Sequence, residues 1–167
     1  MALDPKSSER KQPMRPGSRI GIVVSRFHED LTGAMKDSAV RELAACGVRE
    51  RDVLVVWVPG SFELPITACA LAEEARVEAV ICIGLVLKGE TEHDHWVAHG
   101  AVSGITRASL DTGVPMHLGV LTCSTLEQAR ARALPPELGG REDKGREVAR
   151  AAIETLLALD RIGEMAK

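Results

Sequence analysis

Four short runs of apolar, largely β-branched residues constrain this chain more than any other feature: "SRIGIVVS" (18–25), "DVLVVWV" (52–58), "EAVICIGL" (78–85) and "PMHLGVLT" (115–122). Each is almost continuously apolar instead of alternating, which is how strands buried on both faces of a parallel sheet read. The stretches between them carry helical periodicity. "EDLTGAMKDSAVRELAACG" ends in Gly47, a good helix stop. "LPITACALAEEAR" and "HWVAHGAVSGITRASLDTG" follow, the latter halted by Gly113 and Pro115. After the last run come "STLEQARARA" and "REVARAAIETLLALDRI", separated by the Pro- and Gly-rich loop "LPPELGGREDKG". The order βαβαβαβα with short connections predicts right-handed crossovers and an α/β fold, its sheet covered by helices on both sides. No second hydrophobic set is left for another domain. One domain over 18–163 is expected, preceded by a polar, Pro-rich flexible arm at 1–17 and followed by a short tail at 164–167.

Composition narrows the function classes. Net charge is −3 with acids and bases interspersed, which argues against a nucleic-acid or anionic-membrane partner. No run is long enough to span a bilayer and the N-terminus has no apolar signal segment, so a cytoplasmic protein is expected. Cys46, Cys69, Cys82 and Cys123 form no CxxC pair and read as buried thiols of a reducing compartment. With two Phe, two Trp and no Tyr, the core must be aliphatic and each ring is worth locating individually.

Open parallel sheets bind ligands at the carboxyl ends of their strands. Those ends read "SRFHED", "PGSFELP", "GLVLKGETEH" and "TCSTLE", and both phenylalanines, Phe27 and Phe62, fall there. Phe27, flanked by Arg26, His28 and Glu29, suits stacking on a flat heterocycle. No G-x-G-x-x-G, G-x-x-x-x-G-K-[ST] or G-x-S-x-G is present, which disfavours dinucleotide, P-loop and serine-hydrolase chemistry. "GETEHDHWVAHG" (89–100) gathers His93, His95 and His99, which could ligate a metal, move protons or decorate a helix. HxH joined to HxxxH is no recognised metal signature, and no metal is assigned. His93 lies at the loop-to-helix junction after the third strand, where an imidazole can exchange protons with a ligand. Gly89 permits close backbone approach, and Thr91 puts a hydroxyl near a helix N-terminus that favours an anion. The acidic Glu90 and Glu92 then call for a cation from elsewhere, with Arg130, Arg132, Arg141 and Lys144 as candidates. On these residues alone the chain reads as a small-molecule enzyme with a phosphate-bearing substrate.

Five motifs in order, "IGIVVSRFHEDLT", "WVPGSFELP", "GLVLKGETEHDHWV", "GVPMHLGVLTCSTLEQARARA" and "DKGREVARAAIE", resemble the successive signatures of the lumazine synthase family. The resemblance runs from about Arg19 to Ile162. It implies a flavodoxin-like three-layer α/β/α sandwich on a four-stranded parallel sheet, and active sites between adjacent subunits of a homopentamer. The implied reaction, the penultimate step of riboflavin biosynthesis, condenses 5-amino-6-(D-ribitylamino)uracil with 3,4-dihydroxy-2-butanone 4-phosphate. An imine forms, phosphate is eliminated, the ring closes and water leaves; no metal or organic cofactor is implied.

Position by position, the resemblance gives Phe27 the stacking on the pyrimidine ring. Gly60, Ser61, Phe62 and Glu63 would hold ring substituents and ribityl hydroxyls, and Leu85, Val86 and Leu87 the ring edge. Glu90 and Thr91 fall beside the phosphate, Arg132 binds it, and His93 transfers protons. Lys144 and Glu147 match the "KGxE" pair, the acid placed to orient the histidine. Leu118 stands where many members carry a Phe contributed by a neighbouring subunit, and His28 where members often have Asn. The "ALPPELGGRED" loop is longer than the turn of capsid-forming members, so a pentamer or paired pentamers is expected over a sixty-subunit shell. The alternatives are an archaeal-type riboflavin synthase and a non-catalytic flavin- or lumazine-binding protein.

Overall fold

The computed structural model describes residues 14–15 and 17–166. Residues 1–13, most of the stretch read as an arm, lie outside the described residues, as do Pro16 and Lys167. The four apolar runs are the strands β1 (Ile20–Ser25), β2 (Val53–Val58), β3 (Ala79–Leu87) and β4 (Met116–Cys123). They form one all-parallel sheet in the order β2-β1-β3-β4. All six residues of β1 are buried, as its unbroken apolar run requires of an inner strand. The outer strands are less covered: Val55 on β2 is 39% exposed and Leu118 on β4 50%.

Strand alternation sorts the core into two layers. Ile20, Ile22 and Val24 face one side and pack with Leu31, Met35, Ala39 and Leu43 of α1 (Glu29–Ala45). That layer also holds Ala129 and Ala133 of α4 (Leu126–Ala133) and Val148, Ala149, Ala152 and Ile153 of α5 (Lys144–Met165). Val23, Val80 and Cys82 face the other side, against Leu64, Ala68 and Leu71 of α2 (Leu64–Glu73) and Ile105 of α3 (His93–Thr112). The result is a three-layer α/β/α sandwich. Arg150 donates to the buried Glu42 carboxylate at 2.6 Å and ties α5 to α1. At the other end of α5, Arg15 pairs with Asp160 at 2.9 Å, while the buried Met14 donates its N–H to the Cys46 carbonyl at 3.0 Å.

Burial also acts on two titratable side chains of β3 and β4. Burial pushes the Cys82 thiol up to about 12, so it is a packing residue. Burial lowers His117 on β4 to about 4, keeping its imidazole neutral, and its Nε2 has no hydrogen-bond partner among the described residues.

The strand order fixes where a ligand can enter. The chain passes from β1 to β2 on one flank, then crosses back over β1 to place β3 on the other. Loops leaving β1 and β3 therefore diverge at their carboxyl ends and open a crevice between them.

Candidate active site

At that crevice the ladder of β1 extends one residue, with Arg26 N–H donating to the Val58 carbonyl at 2.9 Å. The chain then turns sharply into α1 through His28, whose backbone is left-handed (φ 58, ψ 52). His and Asn are among the few side chains that enter this region readily, which accounts for His at a position where Asn is also suited. The His28 carbonyl is fixed by the N–H groups of Leu31 and Thr32 at 2.9 and 3.0 Å, while the Thr32 hydroxyl donates to Ser25 O at 2.7 Å. The bend leaves Phe27 67% exposed at the crevice. Its neighbour Arg26 is turned to the Trp57 ring, 5.3 Å from the centroid, and to Glu29 at 3.3 Å.

The segment after β2 makes the opposite wall. Residues Ser61–Glu63 form a single 3-10 turn leading into α2, and Glu63 reaches back so that Gly60 N–H donates to its Oε2 at 2.9 Å. One carboxylate oxygen is thus used inside the turn, and the other has no partner among the described residues. Ser61 is buried, and its Oγ occupies the space a Cβ on Gly84 would fill. Only glycine at 84 lets the turn lie this close to β3. The floor is Leu85, Val86 and Leu87, the last residues of β3.

Beyond β3 the backbone opens. Gly89 N–H donates to Asp94 Oδ1 and His93 N–H to Thr91 Oγ1, both at 3.3 Å. The latter bond starts α3 at His93, two residues earlier than periodicity alone predicts. His93 is exposed at the helix N-terminus. His95 and His99 lie along the helix with rings stacked at 6.3 Å, and His95 meets Trp96 edge-on at 5.1 Å. Among the described residues no three His, Cys, Asp or Glu side chains converge as a ligand set.

These parts enclose one cavity of about 610 Å³, within the range of small-molecule sites. Of the residues nominated from sequence, it is lined by Phe27, Gly60, Ser61, Phe62, Glu63, Leu85, Val86, Leu87, Gly89, Thr91 and His93. Sequence reasoning gave no role to His28, Asp94, Trp96 or Val97, which also line it. Trp96 had a usable signal: in a chain with four Phe and Trp in all, three rings border this single cavity.

Five nominated residues do not line the cavity within one chain: Glu90, Leu118, Arg132, Lys144 and Glu147. The last three gather where α4 gives way to α5. Arg132 donates to the Gln128 carbonyl at 3.1 Å, and Lys144 bridges Glu142 at 2.9 Å and Glu147 at 2.7 Å. Burial works against the Lys144 charge, but the hydrogen bonds to Glu147 and Glu142 outweigh it and raise the ammonium. The Lys144 hydrogen bond correspondingly lowers Glu142. Leu118 is half exposed on the outer strand β4.

Comparison with known proteins places this geometry. The family model for 6,7-dimethyl-8-ribityllumazine synthase matches residues 17–160. The chain is similar to the 6,7-dimethyl-8-ribityllumazine synthase of Paraburkholderia phytofirmans, 42% identical over 150 residues, 88% of this chain and 84% of that protein. It is equally similar to that of Burkholderia multivorans, 42% identical over 151 residues, covering 89% of this chain and 83% of that one. The chloroplastic enzyme of Arabidopsis thaliana is 42% identical over 139 residues, 83% of this chain. The aligned part spans 59% of that plant relative's length. A match that begins just before β1 and runs to within a few residues of the end of α5 leaves no element of the sandwich outside it, and the chain belongs to the 6,7-dimethyl-8-ribityllumazine synthase family.

Proposed function

We propose that this chain condenses 5-amino-6-(D-ribitylamino)uracil with 3,4-dihydroxy-2-butanone 4-phosphate to 6,7-dimethyl-8-ribityllumazine, a transferase step of riboflavin biosynthesis, at the crevice between β1 and β3. The family match over residues 17–160 carries the reaction, and the cavity at the topological switch point carries its place. Neither alternative, a riboflavin synthase or a non-catalytic binder, finds support in the matched relatives.

The pyrimidine ring lies against Phe27, its edge along the main chain of Leu85–Leu87. Glu63, anchored by Gly60, offers its second oxygen to a ribityl hydroxyl. The butanone phosphate sits toward Thr91 and the N-terminus of α3, where backbone dipoles favour an anion. The pyrimidine's amino group attacks the butanone carbonyl and water leaves as the imine forms. Elimination of phosphate leaves an enol that tautomerises to a ketone; the ribitylamino nitrogen attacks that new carbonyl and a second water leaves as the ring closes. Each stage moves protons and none requires an outside oxidant or reductant, so His93 at the cavity edge is suited to serve as acid and base in turn. Holding both substrates in register supplies much of the acceleration.

The phosphate needs a fixed positive charge that the cavity of one chain lacks. Arg132 is assigned to this role from an adjacent subunit of a homopentamer, which would also bring Lys144, Glu147 and Leu118, while Glu90 stays with Thr91 on this chain's own loop beside the phosphate. The exposure of Leu118 and the grouping of the charged residues away from their own chain's cavity support that reading. No described helix is long and apolar enough to cross a membrane, and a cytoplasmic location is proposed.

The test is direct. Given both substrates, the wild-type chain is expected to produce the lumazine chromophore and inorganic phosphate together. Conversion of lumazine to riboflavin with no condensation would refute the assignment. Sedimentation should give five chain masses or ten; a particle on the order of a megadalton would overturn the pentamer.

A further inference from the structure

The cavity's aromatic wall depends on a residue that does not line it. Gly100 lies in the middle of α3, two turns after His93, where glycine is about 1 kcal/mol less favourable than alanine. Its φ is ordinary for a helix, so backbone conformation does not demand glycine there. A Cβ at this position would instead lie 2.6 Å from Cε2 and 3.0 Å from Cδ2 of Phe62. The ring edge occupies the space that any other residue at position 100 would fill. The turn carrying Phe62 is closely fitted on its other side too, because Ser61 Oγ fills the Cβ position of Gly84. Phe62 is nevertheless 60% exposed, with its outer part bordering the cavity. It is therefore held along one edge and open along the other.

We propose that Gly100 is a positioning residue: the missing Cβ on α3 is the seat that fixes the Phe62 ring in the cavity wall, and with it the breadth of the pyrimidine subsite. The inference rests on the function proposed above. The seat also links two roles on one helix, since α3 places His93 at its first residue and holds Phe62 two turns on. A methyl group at position 100 meets the far end of a side chain and not backbone, so the ring swings toward the open cavity while the fold is kept.

A double-mutant cycle of Gly100→Ala and Phe62→Ala tests this. Gly100→Ala alone should raise the pyrimidine KM about two- to tenfold, the range for a displaced aromatic contact. The butanone phosphate KM should stay near wild type. In the Phe62→Ala background, Gly100→Ala should have no further effect on the pyrimidine KM. It should also raise Tm there by about 2–4 °C, the gain for Gly→Ala in a helix of a domain this size. In the wild-type background that gain should be smaller, because the displaced ring offsets it. An unchanged pyrimidine KM in Gly100→Ala, or an equal loss with and without Phe62, overturns the proposal. The Tm arm needs no turnover: if the wild-type chain made no lumazine, the activity assignment would fail, while equal Tm gains in both backgrounds would separately reject the seat.

Discussion

The two sides of the cavity are built differently. On the ring side, the turn after β2 is locked by the Gly60–Glu63 hydrogen bond at 2.9 Å and by Ser61 packed onto Gly84, with the buried Leu85 beneath. On the phosphate side, residues 89–93 are exposed, and the two side-chain hydrogen bonds there, Gly89 N–H to Asp94 and His93 N–H to Thr91, are long, at 3.3 Å. The cations assigned to that side are engaged elsewhere on the same chain, Lys144 between two carboxylates and Arg132 on its own helix. One subsite is therefore preorganised by the fold of a single chain. The other, on the proposed function, is completed by a second chain.

Removing the histidine proposed to carry protons should affect the phosphate side most. His93→Ala is expected to lower kcat by about 10²–10⁴-fold, the usual worth of a positioned acid–base group. Its pyrimidine KM should change little, because the turn after β2 is held by its own Gly60–Glu63 hydrogen bond; unaltered kcat would remove His93 from the chemistry. Next comes Arg132→Ala, which should reduce kcat/KM for the butanone phosphate about ten- to a hundredfold, as for one lost charged hydrogen bond. Pyrimidine binding measured in isolation should survive. Equal loss for both substrates would make Arg132 a structural residue and weaken the division between the two sides.

The locked side should respond in stability as well as binding. Glu63→Ala leaves the buried Gly60 N–H without its acceptor, an effect of about 1–3 kcal/mol in denaturant unfolding. Glu63→Gln, which keeps a carbonyl acceptor, should lose less; identical losses would show that the bond to Gly60 does not organise the turn. The smallest effect is expected for Phe27→Ala, about 1 kcal/mol of pyrimidine affinity for lost stacking. Undiminished affinity would place the ring outside the subsite.

Much of this was legible in the sequence, for a physical reason. β1 and β3 are buried on both faces, so their unbroken apolar runs identified them, and the strand ends located the crevice without any family knowledge. Element boundaries were less visible where side chains set them. The Thr91 hydroxyl accepts from His93 N–H where α3 begins, and β3 continues to Leu87, two residues beyond the run 78–85. What remained hidden depends on contacts between distant segments. Nothing local in "SFELP" or "VAHGAV" shows that Phe62 lies against Gly100, nor that His28 takes a left-handed turn to present Phe27. Trp96 carries no local signal of its place, because a tryptophan on a helix of mixed periodicity looks the same facing solvent or a cavity.

The scarcity of rings gives the molecule an optical property. With no tyrosine and two tryptophans, the fluorescence it emits on excitation beyond the phenylalanine band comes from Trp57 and Trp96 alone. Trp57 is half-buried beneath the Arg26 guanidinium, whereas Trp96 stands exposed at the cavity's edge. The unmodified chain thus carries one indole as a steady reference and a second as an intrinsic reporter of what enters the crevice.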